Sequence, residues 1–109
     1  GNKADEYFKI NEFEKAINLY EQAIDKDPDE YAYYENLGFS YHKLGDCKNA
    51  KKYLKRVIKS QKSKTGKSEF YMGVILLQEE KDKEAFKYLI RSRNYNYAGA
   101  KQVIALYCN

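Results

Sequence analysis

The sequence predicts an all-α protein built as an array of antiparallel helix hairpins, and three observations predict it. Ala16, Ala50 and Ala85 recur at separations of 34 and 35 residues. Each has a small residue 12 places before it, Ala4, Gly38 and Gly73. One proline and six glycines in 109 residues leave room for long uninterrupted helices. A period of that length, with small residues where two helices must approach, marks a helical repeat array.

The elements follow in order. Ala4 and Ala16 set the first hairpin within residues 1–30. In residues 31–65 the pattern is complete. Tyr34, Leu37, Gly38, Tyr41 and Leu44 fall on one stripe of a helix. Gly45-Asp46 then breaks it and supplies the N-cap of the next. Ala50, Tyr53, Leu54, Val57 and Ile58 form the second stripe, and Gly38 is expected to nest against Ala50. Residues 66–97 repeat the scheme more loosely with Met72, Gly73, Leu76, Ala85 and Leu89. One extra residue in Ser60–Gly66 accounts for the spacing of 35. Ala98–Tyr107, with Val103, Ile104, Leu106 and Tyr107 on a broad apolar face, reads as a capping helix or the start of a fourth repeat over 98–109.

These residues resemble the tetratricopeptide repeat family, whose pattern runs W-x2-L-G-x2-Y, then A-x3-F, then P. Here Tyr34-x2-Leu37-Gly38-x2-Tyr41 is followed by Ala50-x3-Leu54, with Lys62 at the place of the proline. Tyr7, Ala16, Tyr20, Ala23 and Pro28 match the second half of the pattern, so the chain is expected to begin inside the first helix of a truncated repeat. In the third copy Glu69 stands where the large aromatic belongs and Tyr97 where the proline belongs. The resemblance implies a right-handed superhelix, a TPR-like α-solenoid, in which first helices line a concave groove and second helices form the back. It also implies a protein–protein interaction module that holds a peptide or partner helix in that groove.

Groove candidates are first-helix residues off the packing stripe: Glu35, Asn36, Phe39, His42 and Lys43 in the middle repeat. The third offers Phe70, Tyr71, Val74, Leu77 and Gln78, and the first Asp5, Phe8 and Lys9. Phe39, Tyr71, Val74 and Leu77 would form an exposed apolar patch, a common mark of a binding surface. Alternatively they pack against neighbouring helices, since a Val-Ile-Leu-Leu run is apolar on every face. Asn36 and His42 would bond the partner's backbone. Family members that bind chaperone C-termini carry a clamp of Lys, Asn, Asn, Lys and Arg. Asn36 occupies one clamp place, but Asp5 and the pair Phe70 and Tyr71 stand where others belong, which argues against a carboxylate clamp.

Charge is unevenly spread. Residues 1–36 hold ten acids against four lysines, a net −6, whereas the remainder is +10. Lys48, Lys51, Lys52, Lys55, Arg56 and Lys59 lie along the second middle helix, with Lys62, Lys64 and Lys67 placed in the following turn. They read as a solvated convex face or as a contact for an acidic partner. Only Tyr53 interleaves them, which argues against nucleic acid.

Other function classes find little support. The longest aliphatic run, Val74–Leu77, falls far short of the ~20 residues of a membrane span. His42 is the only histidine and no carboxylate is spaced to orient it. Thr65-Gly66-Lys67-Ser68 ends like a phosphate loop but lacks its preceding glycine and strand. No enzyme, cofactor or metal is implied. Cys47 and Cys108 read as free thiols of a reducing compartment, hence a cytoplasmic location with a periplasmic one as the alternative. A structural segment of a longer repeat protein, self-associating through its repeat ends, is the competing reading.

Overall fold

The computed structural model describes residues 2–107; Cys108 and the side chain of Tyr107 lie outside the described residues. Seven helices and no strand occur among them: α1 (Asn2–Lys9), α2 (Phe13–Lys26), α3 (Tyr31–Lys43), α4 (Cys47–Ser60), α5 (Lys67–Gln78), α6 (Asp82–Asn94) and α7 (Ala98–Tyr107). α1 packs on α2, α3 on α4 and α5 on α6. Each hairpin then meets the next, α2 against α3 and α4 against α5, and α3 also touches α5. The stack measures 44 × 25 × 21 Å.

The turns inside the hairpins repeat as regularly as the alanines. Asn11, Gly45 and Glu80 each adopt a left-handed backbone, with φ of 64°, 81° and 61°. The next amide reaches back over the helix end in all three: Glu12 to the Tyr7 carbonyl, Asp46 to Tyr41 and Lys81 to Leu76, at 2.8–2.9 Å. Asn96 (φ 64°) and Tyr97, bonded to Ser92, close α6 in the same way. The left-handed residues' own amides bond the Phe8, His42, Leu77 and Arg93 carbonyls, and the two hydrogen bonds of each turn satisfy carbonyls that would otherwise be orphaned at the helix end. Asp46 also caps α4 by accepting from the Asn49 amide at 3.2 Å, as the Gly45-Asp46 pair predicts.

Two buried clusters form the core. One joins Ala4, Ala16, Ile17, Tyr20 and Leu37; the other joins Ala50, Leu54, Met72, Ile75, Leu76 and Ala85. The recurring alanines sit at the centre of these clusters, all wholly buried. The glycines' nearest neighbours differ from the expected pairing. A Cβ on Gly38 would stand 2.6 Å from Leu54 Cγ and Cδ2, one turn beyond Ala50. Gly73 meets Leu89 likewise, with the Ala85 carbonyl oxygen at 3.2 Å. The small residues thus admit a leucine of the second helix, and Ala50 fills the turn beside it. Leu44, read as part of the packing stripe, is instead 46% exposed, because it is the C-cap of α3, where the hairpin turns away.

Tyrosines knit the hairpins together. Tyr41 and Tyr53 stack with ring planes 7° apart, and both hydroxyls donate to Glu21 of α2, at 3.1 and 3.4 Å. Burial and this carboxylate push the Tyr41 phenol up to about 12. Tyr34 stacks on Tyr53 and donates to the Pro28 carbonyl at 2.8 Å.

Candidate functional site

On the first-helix side, α1, α3 and α5 bring aromatic rings into one row. Phe39 sits in its middle, 5.4 Å from Phe8, 5.8 Å from Phe13 and 4.9 Å from Tyr71, all edge to face. Phe70 continues the row from Tyr71 at 5.2 Å to Tyr97 at 4.8 Å. Such pairs bring their own attraction beyond area burial. They make the row a rigid feature.

The expectation of an exposed apolar patch is therefore corrected. Phe39, Tyr71, Val74 and Leu77 are half-buried, and Tyr71 and Leu77 pack against the second core cluster. Burial and the neighbouring Tyr97 phenol raise the Tyr71 pKa far above its usual 10. Lys43 and Gln78 are exposed at the row's edge. The Lys43 ammonium lies 5.2 Å from the Phe39 ring centre.

A second ammonium, not foreseen at this place, joins it. Lys67 opens α5 instead of lying in the preceding turn, and its Nζ stands 5.2 Å from Phe39 and 5.4 Å from Phe8. The signal was present in the sequence, because Lys67 precedes Tyr71 by four residues and so shares its helix face. Phe13 had no comparable signal; it enters the row from the start of α2.

His42 lies 5.6 Å from Tyr71, and its Nδ1 is buried without a hydrogen-bond partner. Burial, helped by the adjacent Lys43 charge, holds its pKa below the ordinary value. Asn36 is committed within the fold: its Nδ2 donates to the Tyr20 hydroxyl at 3.0 Å, and that hydroxyl donates to Asp5 Oδ1 at 2.5 Å. Glu35, read as a groove candidate, is buried between α3 and α5, where Ser63 and Ser68 donate to it at 3.1 and 2.9 Å.

The basic stripe of α4 divides in two. Lys51 is paired with Glu79 at 2.7 Å, Arg56 covers the Tyr34 ring at 4.5 Å, and Lys52 lies 5.4 Å from Tyr53. Lys48, Lys55 and Lys59 are exposed, with no such contact. Lys48, Lys51, Lys52, Lys55 and Lys81, together with Glu84 and Tyr88, surround a cleft of about 320 Å³ whose lining includes Met72 and Leu76. Cys47 is half-buried against the second core cluster, a packing role.

Among the described residues no group of His, Cys, Asp and Glu is placed to hold a metal, and no helix is long and apolar enough to cross a membrane. The stacked hairpins agree with what similar proteins reveal. A family model described as TPR repeat matches residues 4–45, and a second, described as Tetratricopeptide repeat, matches 31–64. Between them they cover more than half of the chain. The chain belongs to the tetratricopeptide repeat family. Family repeats of this kind generally mediate protein–protein interactions, and the right-handed superhelical stacking comes with membership.

Serine/threonine-protein phosphatase 5 of Homo sapiens and of Rattus norvegicus are each 38% identical to the chain over 64 residues, 49% of this chain. The match spans only 13% of the length of those relatives.

Proposed function

We propose that the first-helix face holds a peptide or partner helix across the aromatic row. The observation that carries this reading is the convergence of Phe8, Phe39 and Tyr71, one from each successive first helix, under two ammonium groups. Residues 31–65 and 66–97 supply the face as whole repeats, with 1–30 and 98–109 at its ends. Phe39, Tyr71, Val74 and Leu77 present half-buried apolar surface. The Asn36 carbonyl oxygen and the Nε2 of His42, whose Nδ1 is enclosed, are the polar atoms offered to a partner's backbone.

The test compares affinity capture from the native source by the wild-type chain and by Lys43→Glu/Gln78→Arg. Both positions are exposed, so the melting temperature stays unchanged. Loss of one reproducible partner by the double variant supports the reading, and undiminished recovery overturns it. Phe39→Ala is unsuitable for this purpose, since Phe39 also holds three helices together.

A second reading rests on the cleft ringed by Lys48, Lys51, Lys52, Lys55 and Lys81. It makes the second-helix side a contact for an acidic protein. Binding of that kind weakens steeply between low and moderate salt, and Lys52→Glu/Lys55→Glu would abolish it.

A further inference from the structure

Two clefts at the edge of the stack occupy corresponding places one repeat apart, and they differ fivefold in size. The 35-residue offset relates Tyr34 to Glu69, Tyr53 to Tyr88, Arg56 to Arg91 and Ser60 to Tyr95. In the earlier repeat the Tyr34 ring, 5% exposed, fills the space between α3 and α4, with the Arg56 guanidinium 4.5 Å above it. What remains is a cleft of about 110 Å³ lined in part by Tyr34, Arg56 and Ser60. One repeat later the cleft lined by Ile58, Gln61, Lys64, Glu69, Arg91 and Tyr95 holds about 540 Å³. The first volume is too small for any ligand of ordinary size, and the second lies inside the usual range of binding pockets.

The chemistry of the larger cleft is that of a ring site without its ring. Glu69 replaces the aromatic residue and is only 6% exposed. Among the described residues no other side chain bonds its carboxylate, and the Arg91 and Lys64 charges lie near it. The neighbouring Glu35 has Ser63 and Ser68 as donors, whereas the Glu69 carboxylate lines the open cleft. Arg91, with no ring beneath it at position 69, rests instead 5.6 Å from Tyr88. Tyr95, an exposed aromatic where the earlier repeat has Ser60, adds a flat wall.

We infer that this cleft takes a tryptophan or tyrosine side chain of another protein. The guest ring would occupy the space that Tyr34 fills in the preceding repeat, lie under the Arg91 guanidinium, and donate its indole N–H or phenol O–H to Glu69. A ring under a guanidinium is attracted by it. Buried Trp and Tyr seek an acceptor for their polar end, and Glu69 lines the cleft with a carboxylate that no other side chain occupies. Lys64 and Arg91 at the rim disfavour a cationic guest. The site is independent of the aromatic row on the first-helix face and does not rest on that reading.

The probe is N-acetyltryptophanamide, titrated into the isotope-labelled chain and followed by amide chemical shifts. The chain contains no tryptophan, so selectively excited indole emission reports the probe alone. The expected result is saturable binding with shifts at Glu69, Arg91, Asn94 and Tyr95. N-acetylphenylalaninamide, which lacks a side-chain donor, should bind about tenfold more weakly. Glu69→Tyr should fill the cleft from within, abolish the saturable shifts and raise the melting temperature. Arg91→Ala, an exposed change that leaves the core intact, should weaken binding several-fold and keeps the test decisive if Glu69→Tyr fails to fold. Absence of saturation, equal affinity for the two probes, shifts confined to the first-helix face, or undiminished binding by either variant would each overturn the inference.

Discussion

The closeness of the two helices in a hairpin can be tested at one atom. In Gly38→Ala the new Cβ would stand 2.6 Å from both Cγ and Cδ2 of Leu54 and 3.3 Å from its amide nitrogen. Carbon atoms pack best at roughly 3.5–4.0 Å, so Leu54 must retreat by about 1 Å. It has nowhere to go, being 1% exposed and enclosed with Ala50, Met72, Ile75 and Leu76. Overpacking of this kind costs about 1–3 kcal/mol. Complete loss of the leucine's packing, about 2–5 kcal/mol, is the upper bound. Against this, alanine is the better helix former by about 1 kcal/mol. The net loss is therefore about 1 kcal/mol at the middle of the overpacking range and no more than about 4 kcal/mol at the bound. That is a fall in melting temperature of roughly 5 °C, rising to roughly 15–20 °C at the bound, for a domain of this size.

The assay is thermal and urea unfolding followed by far-ultraviolet circular dichroism. The decisive comparison is with Gly38→Ala/Leu54→Ala. Leucine truncation removes the clashing atoms, so in that background alanine at 38 should cost nothing or gain up to about 1 kcal/mol. Gly45→Ala serves as the control. Nothing lies within 4 Å of a Cβ there, and only its left-handed backbone (φ +81°) is penalised, by about 1–2 kcal/mol. A Gly38→Ala protein that melts at or above the wild-type temperature would refute the reasoning. So would an equal loss with and without Leu54.

Three further perturbations have expected outcomes. Tyr20→Phe keeps the buried ring but leaves Asp5 and Asn36 without the shared hydroxyl, at about 1–2 kcal/mol in urea unfolding. The raised Tyr20 pKa means that stability falls as pH climbs above 10, where the unfolded phenol ionises first; Tyr20→Phe should flatten that part of the alkaline unfolding curve. His42→Leu should stabilise by up to about 1 kcal/mol by removing an unpaired buried nitrogen. The lowered His42 pKa also makes wild-type stability decline as pH falls below 6.5 and through the folded value, a decline that His42→Leu should reduce. Lys51→Ala breaks a part-exposed pair with Glu79 and should cost no more than about 1 kcal/mol, less at high salt.

Much of the fold was legible because helix packing writes itself as spacing. The alanine period, the Leu37–Gly38 stripe and the Gly45-Asp46 stop each follow from a local rule, and each recurs in the structure. The turn at Glu80 was not legible. It takes the same left-handed conformation as Gly45, yet no residue type announces it, since the closing bonds to Leu76 and Leu77 come from backbone groups. Glu35 was misread for a related reason: its donors Ser63 and Ser68 lie 28 and 33 residues away, beyond any local pattern. The candidate face was half legible. Helical spacing put Asn36, Phe39 and Lys43 on one side of α3, but it said nothing of Phe13, which joins from another helix.

The residues of the aromatic row serve two ends, and this constrains how a partner on that face would act. In a linear array, stability is the sum of each hairpin's own and of its interfaces with neighbours. Phe39 touches rings from α1, α2 and α5, so it belongs to the interfaces on both sides of its hairpin. A partner spanning Phe8, Phe39 and Tyr71 would contact three successive hairpins and oppose their separation, stabilising the stack by mass action. The Glu69 cleft lies where α4 gives way to α5 and α6, so a ring bound there would brace the same stack from its other edge. If both proposals hold, occupancy of one site should tighten the other without any change of shape, because the ordering cost is met once. Titrating N-acetyltryptophanamide with and without a saturating partner measures that coupling. Equal affinities in the two titrations would show the hairpins to be rigid already.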